Sequence, residues 1–350
     1  MNIVLVNEDT LPPAAAAIAS APWVAVDTEF HVGHAYLPQL LLVQVQVPGG
    51  DTYLIDPLTN MLERLSKPLC QVNWVVHGGF FDLRLLLKVF EDLPEQVMDT
   101  QIAAGLVQPF YPASLAALVQ QYLGVQLDKT ATLSDWSQRP LSETQVDYAA
   151  KDVQLLAPLW QRLREQLVAR GRLEIAIGAA AQARKEALDG LQPNTWRLHR
   201  VDTLTPLQAA AFRELVDWRE ELAHRTDSSR RTIATESALF TLARRAPTTL
   251  GQLKGKRGLP KRLWRDHADD ILACVQRAIA STTSNPPPYI RRNTRESQKH
   301  RWLLCLADAL GQEEQFAPGL VLPVPLLEDC VLEDPDTQRL TAMLGWRAPL

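Results

Sequence analysis

Four carboxylates and a tyrosine occur in three short stretches of the 350-residue chain, at intervals that would let them act on one bound group. Asp27 and Glu29 lie in Val24-Ala-Val-Asp-Thr-Glu-Phe30, Asp82 ends His77-Gly-Gly-Phe-Phe-Asp82, and Tyr148 and Asp152 share Tyr148-Ala-Ala-Lys-Asp152. The first stretch is β-rich, and strand side chains alternate, so Asp27 and Glu29 point from one face. Helical residues four apart share a face, so Tyr148 and Asp152 converge. Should the fold carry Asp82 to the same place, four acids crowd one cavity. Like charges that close are costly unless cations neutralise them, so the pattern predicts a site for two hard metal ions.

Strand and helix signals surround these groups. Trp23–Phe30, Gln39–Val47, Thr52–Ile55 and Asn73–Val76 read as strands, with Pro48-Gly-Gly-Asp51 as a hairpin turn. Phe80–Phe90 has helical spacing, with Leu83, Leu86, Leu87 and Phe90 on one face. Asp99 predicts an N-cap for a helix over Thr100–Val107, and Ala113–Leu123 is amphipathic. Ser142-Glu-Thr-Gln145 is a capping box opening a long helix to about Arg170, which fixes the register of Tyr148 and Asp152. Strands flanked by helices predict an α/β fold with a mixed sheet over residues 1–170. Beyond Gly171 strand signals stop. Residues 171–202 read as a helical connector. A helical unit spans 203–283, with elements at Pro206–Leu222, Glu236–Ala246, Leu250–Leu253 and Ala268–Ala280, and Thr205-Pro206 as a helix start. Ser284-Asn-Pro-Pro-Pro-Tyr289 is a stiff linker to a last helical unit, 290–350.

Composition, at 46% hydrophobic and 22% charged, is that of a globular protein, and no run of 18 apolar residues offers a membrane span. Cys70, Cys274, Cys305 and Cys330 lack pairing or ligand spacing, which predicts reduced, buried thiols and a cytoplasmic location. The net charge of −4 is unevenly spread: residues 1–170 carry −8, residues 171–350 carry +4, and 251–301 alone carry +8. An acidic half joined to a locally basic half suits a polyanion-processing enzyme, although solvated helix faces would give the same counts. Nothing in the sequence calls for an obligate protein partner.

By these residues the chain resembles the DEDD 3′→5′ exonucleases of the branch with a tyrosine in the third motif. Asp27-Thr-Glu29 is similar to the first motif, Asp82 to the second, and Tyr148-x-x-x-Asp152 to the third. Tyr36-Leu-Pro-Gln-Leu40, Ile55-Asp-Pro-Leu58, Leu93-Pro-Glu95, Asp99-Thr-Gln-Ile102, Gly124-Val-Gln-Leu-Asp-Lys129 and Asp135-Trp-Ser-Gln-Arg-Pro-Leu141 extend the resemblance to the ribonuclease D family over residues 1–170. Leu215-Val-Asp-Trp-Arg219 and Leu239-x-x-Leu-Ala-Arg-Arg-Ala-Pro247 resemble an HRDC domain, and Leu344-Gly-Trp-Arg347 a weaker second unit of that kind. The Phe80-Phe81 pair before Asp82, and an arginine-free His31-Val-Gly-His34, depart from the family pattern and bear on substrate grip.

The resemblance implies a ribonuclease H-like exonuclease domain followed by all-α HRDC-type domains. It implies a metal-dependent exoribonuclease that releases 5′-monophosphates from RNA, with tRNA precursors as substrates. Asp27, Glu29, Asp82 and Asp152 would hold two Mg²⁺ or Mn²⁺ ions, and Tyr148 would orient the attacking water. A DNA exonuclease of the same fold, or an RNA-binding protein without activity, are the other readings. Phe80 and Phe81 either pack or, through Phe81, offer a face to a terminal base. Lys254, Lys256, Arg257, Lys261 and Arg262, in or beside a short loop, and Arg291 and Arg292 after the linker, would grip phosphates.

Overall fold

Six apolar runs assemble into one sheet: β1 (Ile3–Leu5), β2 (Trp23–His31), β3 (Gln39–Gln46), β4 (Thr52–Ile55), β5 (Asn73–Val76) and β6 (Val97–Asp99). The computed structural model describes residues 2–31, 33–127, 134–189, 204–254, 259–284, 294–333 and 335–350. The strand order is β1-β4-β3-β2-β5-β6. The central hairpins β2–β3 and β3–β4 are antiparallel, while β1 on β4, β5 on β2 and β6 on β5 are parallel. The sheet is therefore mixed, as the sequence predicts, and Gly49 at φ 75° turns the β3–β4 hairpin.

Period-two alternation gives the sheet two unlike faces. Val24, Val26, Val43, Val45, Tyr53 and Ile55 enter a core with α1 (Leu11–Ser20) and α2 (Met61–Cys70). On that side too, Leu83 and Leu86 of α3 (Phe80–Leu86) pack. The chain then tightens into i→i−3 turns at Lys88 and Val89, which sets Phe90 edge-on to Trp74 at 6.2 Å. The predicted helix to Phe90 is thus shorter because burying that ring bends the backbone.

The opposite face belongs to α6 (Glu143–Ala169), introduced by α4 (Thr100–Gly105) and α5 (Leu115–Leu123). Ala149, Val153, Leu156, Trp160, Leu163 and Leu167 are buried along α6 at alternating four- and three-residue spacing, an apolar stripe with Asp152 beside it. After α7 (Leu173–Leu188) come α8 (Pro206–Arg225), α9 (Arg230–Ile233), α10 (Glu236–Arg245), α11 (Leu250–Leu253), α12 (Lys261–Asp266) and α13 (Ala268–Ser284). They enclose their own core around Phe212, Leu215, Leu239, Leu242, Ile271 and Val275. The Thr205–Gln208 capping box and Pro206 start α8 where the sequence predicts.

The last helices, α14 (Thr294–Glu314), α15 (Pro318–Val321), α16 (Val324–Glu333) and α17 (Thr337–Leu344), return to the sheet-bearing part. Ala317 and Leu320 join the core of α4, α5 and α6. Nearly buried Arg172 donates to the Leu106 carbonyl at 2.9 Å and pairs with Glu314 at 3.1 Å. No described helix is long and apolar enough to cross a membrane.

Candidate active site

Asp27 and Glu29 leave β2 toward α6, together with Ala25 and opposite Leu42, Gln44 and Gln46 of β3. A register shift follows immediately, between Glu29 and Phe30, so the pair marks the end of regular pairing. Tyr148 and Asp152 reach the same face from the first turns of α6. That helix start is fixed twice over: the Ser142 hydroxyl accepts from the Gln145 N–H at 3.2 Å, and the Ser142 N–H donates to the Gln145 amide oxygen at 3.0 Å. The Gln145 side chain also donates to the Asp135 carbonyl at 3.1 Å, tying the preceding segment down.

Asp82 arrives on the first turn of α3 through a turn that only glycine fits. Gly78 adopts φ 61°, and a side chain at Gly79 would come within 2.6 Å of Val76. Both N–H groups donate to the Asp99 carboxylate, at 2.9 and 3.1 Å, and Asp99 also accepts from Gln101 at 2.8 Å as the predicted cap of α4. His77 contacts Thr100 at 2.9 Å as a structural partner. The Thr28 hydroxyl donates to the Asp82 carboxylate, a link from β2 to α3 that no sequence pattern signals.

The electrostatics show the four acids acting on one another. Burial pushes Asp27 far above the ordinary carboxylate range, and the charges of Asp82, Asp152 and Glu29 push the same way. Glu29 rises to about 8, by burial first and then by Asp152 and Asp82. Burial lifts Asp82 to about 6 against the hydrogen bond from Thr28, and lifts Asp152 to about 6 against the one from Tyr148. Such a cluster has an excess of negative charge for which a small cation is the natural counterpart. No group of three or more described His, Cys, Asp or Glu side chains is already drawn together as a cage. The acids stand at electrostatic range, and Asp82 and Asp152 spend oxygens on Thr28 and Tyr148.

Tyr148 is itself positioned by a distant contact. Its ring lies 6.0 Å from that of Trp136, over Leu41, Leu42 and Leu54. Arg139 grips both oxygens of Asp56, at 2.5 and 2.9 Å, and donates to the Leu41 and Trp136 carbonyls at 2.7 and 2.8 Å. Two of the stretches singled out in the sequence therefore meet, although nothing in either names the other. Phe81 stands 46% exposed beside Asp82, its ring 6.3 Å from that of Phe30 and 5.8 Å from that of Phe80.

Downstream of β2, Tyr36 docks the first helical unit onto the sheet. Its hydroxyl donates to Glu220 at 3.2 Å and accepts from Arg230 at 3.1 Å, with that guanidinium 4.7 Å over the ring. The Ser229 N–H donates to the His34 carbonyl at 2.5 Å. Lys254 is exposed after α11, and Lys261 and Arg262 are exposed on α12. Lys256, Arg257, Arg291 and Arg292 lie outside the described residues.

The chain with this mixed sheet, its four converging acids and its helical companion matches two protein families. The 3′-5′ exonuclease family matches residues 3–168, and the HRDC domain family matches residues 208–275. Ribonuclease D of Cronobacter turicensis is 36% identical over 264 residues, covering 73% of this chain and 70% of its own. Ribonuclease D of Escherichia coli is 33% identical, over 78% of this chain and 74% of its own. The crystal structure of Escherichia coli RNase D superposes with a TM-score of 0.81 at 28% identity, covering 100% of this chain and 96% of that one. A Bifidobacterium adolescentis protein shares the fold, with a TM-score of 0.66 at 22% identity, covering 100% of this chain and 94% of that one. The fold and these matches define a 3′→5′ exonuclease with an HRDC domain. The chain belongs to the ribonuclease D family of 3′→5′ exoribonucleases.

Proposed function

We propose that the chain shortens RNA from the 3′ end, releasing nucleoside 5′-monophosphates, with tRNA precursors as its substrate class. The observation that supports this most is the convergence of Asp27 and Glu29 from β2, Asp82 from α3 and Asp152 from α6, near enough that the charges of Asp82 and Asp152 bear on both Asp27 and Glu29. All-oxygen donors without Cys or His favour Mg²⁺ or Mn²⁺ over zinc. A pair of such ions would supply Lewis acidity to the attacking water and to the leaving 3′-oxygen. Asp27, on the central strand, would serve both ion positions. Glu29 and Asp152 would complete the one on the nucleophile side, and Asp82 the other. The Tyr148 hydroxyl, anchored on Asp152, orients the attacking water.

Substrate grip in this reading is divided. The Phe81 face stacks on the terminal base, and Lys254, Lys261 and Arg262 hold phosphates of the RNA body, joined by Lys256, Arg257, Arg291 and Arg292. Escherichia coli RNase D is an exoribonuclease involved in structured RNA processing, and the likeness to it supports an RNA with a folded body. The chain divides functionally into an exonuclease domain at 1–170, a connector at 171–202, an HRDC domain at 203–283 and a second HRDC-like unit at 290–350. The cysteines form no disulfide among the described residues, which fits action in the reducing cytoplasm, although only Cys274 and Cys330 are buried, with Cys70 half-buried and Cys305 exposed on its helix. The test is release of 5′-mononucleotides from a 3′-extended RNA and a matched DNA with Mg²⁺ or Mn²⁺, comparing wild type with Asp27→Ala. Metal-dependent RNA trimming absent from the variant is expected. Equal trimming of DNA, or RNA binding without release, overturns the reading.

A further inference from the structure

Directly across the β2–β3 ladder from Asp27 stands Gln44, and the same ladder pairs Ala25 with Gln46. Residues opposite one another across a ladder share a face, so both glutamines lie beneath α6 on the side that carries the acids. Their circumstances differ. Gln46 is fully used: its amide nitrogen donates to the Val47 carbonyl at 2.6 Å and the Gly50 carbonyl at 3.1 Å. Its oxygen accepts from Thr52, which in turn accepts from Gln154 at 2.8 Å. That network closes the β3–β4 hairpin.

Gln44 is completely buried, and among the described residues neither its amide nitrogen nor its amide oxygen has a hydrogen-bond partner. A buried amide with no partner costs free energy that a methionine or leucine would not. Leu42 and Leu54, its neighbours on the same face, show that apolar side chains pack there. Folding alone therefore gives no reason for an amide at this position. Its unsatisfied groups belong to the residue paired with Asp27 directly across the ladder. A carboxylate with two oxygens turned toward cations still needs its orientation fixed, and a neighbouring N–H donor is the ordinary means.

We propose that Gln44 is a positioning residue for Asp27: its amide nitrogen donates to the Asp27 carboxylate in the cation-loaded site and aims that carboxylate at the ions. The inference rests on the reading of the acids as cation ligands given above. It accounts for the orphaned amide, because the partner is fully engaged only when the site is loaded.

The test uses the full chain and the variant Gln44→Met, which keeps length and volume and removes both polar atoms. Mn²⁺ affinity is measured by titration calorimetry, and thermal melting is measured in EDTA. Gln44→Met is expected to melt in EDTA at or above the wild-type temperature while binding Mn²⁺ about tenfold to a hundredfold more weakly. Nucleotide release should then recover toward wild type as Mn²⁺ is raised. Unchanged Mn²⁺ affinity overturns the proposal, and so does a lower melting temperature in EDTA, which would mark Gln44 as a purely structural partner. Gln44→Leu repeats both measurements if the methionine variant does not fold. Wild-type chain that binds no Mn²⁺, like the Asp27→Ala control, would remove the underlying reading of the acids. Wild-type binding with an unaltered variant removes only the role of Gln44.

Discussion

Replacing Glu29 by Gln should stabilise the metal-free protein, and by an amount that grows with pH. The Glu29 carboxyl rises from 4.5 to about 8 in the folded chain, through burial and then the charges of Asp152 and Asp82. Between those two values the folded state keeps a proton that the unfolded state has released. The unfolded state thus binds fewer protons, so stability falls as pH rises through this window. For these two values the penalty is about 1 kcal/mol at pH 5 and about 4 kcal/mol at pH 8. The second figure is an upper limit, since protonation of Asp27 or Asp152 would share the load. Glu29→Gln keeps the volume and removes the charge. Urea unfolding in EDTA at half-unit steps from pH 5 to pH 9 should show wild-type stability declining more steeply than that of the variant, in which Asp27, Asp82 and Asp152, raised first by their own burial, keep a residual slope. The gap should be several-fold larger at pH 8 than at pH 5. A variant less stable than wild type at pH 8, or a wild-type curve without slope, would refute the argument that these acids load one another.

Tyr148→Phe removes the hydroxyl bonded to Asp152 while keeping the ring against Trp136. Nucleotide release should fall by about 10²-fold or more with Mn²⁺ affinity within a few-fold, a split read by kinetics beside calorimetry. Arg139→Ala leaves Asp56 unpaired in a partly buried site and orphans the Leu41 and Trp136 carbonyls, so a loss of roughly 2–4 kcal/mol is expected in urea unfolding. Charge reversal at Lys254, Lys261 and Arg262 should weaken RNA binding. The slope of log affinity against log salt should shrink by about 0.7 for each phosphate no longer neutralised, measured by fluorescence anisotropy, with release from a short oligonucleotide unchanged.

The parts of the fold that are legible in the sequence are those set by local rules. The capping boxes at Ser142 and Thr205 start α6 and α8 at the predicted residues, because a cap is a contact within one turn. Strands β4 and β5 match residue for residue, since alternation and flanking turn residues are local too. β1 and β6, of three residues each, give no such signal, because so short a run carries no period and becomes a strand only by pairing with β4 or β5. The helix predicted over Phe80–Phe90 stops at Leu86, because Phe90 is claimed by Trp74.

Residue types and local periods are enough to name the available chemistry: oxygen donors alone, two of them on one strand face and a Tyr and an Asp on one helix face. Period two and period 3.6 enforce those pairings without reference to the rest of the chain. Long-range packing supplied what no period encodes. It set the Asp99 carboxylate under the Gly78-Gly79 turn that launches Asp82, and joined Thr28 to that acid. It brought Arg139 to Asp56 across 83 residues, and Tyr36 to Glu220 and Arg230 across 184 and 194. It also placed an unsatisfied Gln44 opposite Asp27, a fact that depends on strand register. Contacts of that range depend on where sheet and helices pack, and packing is a property of the whole fold.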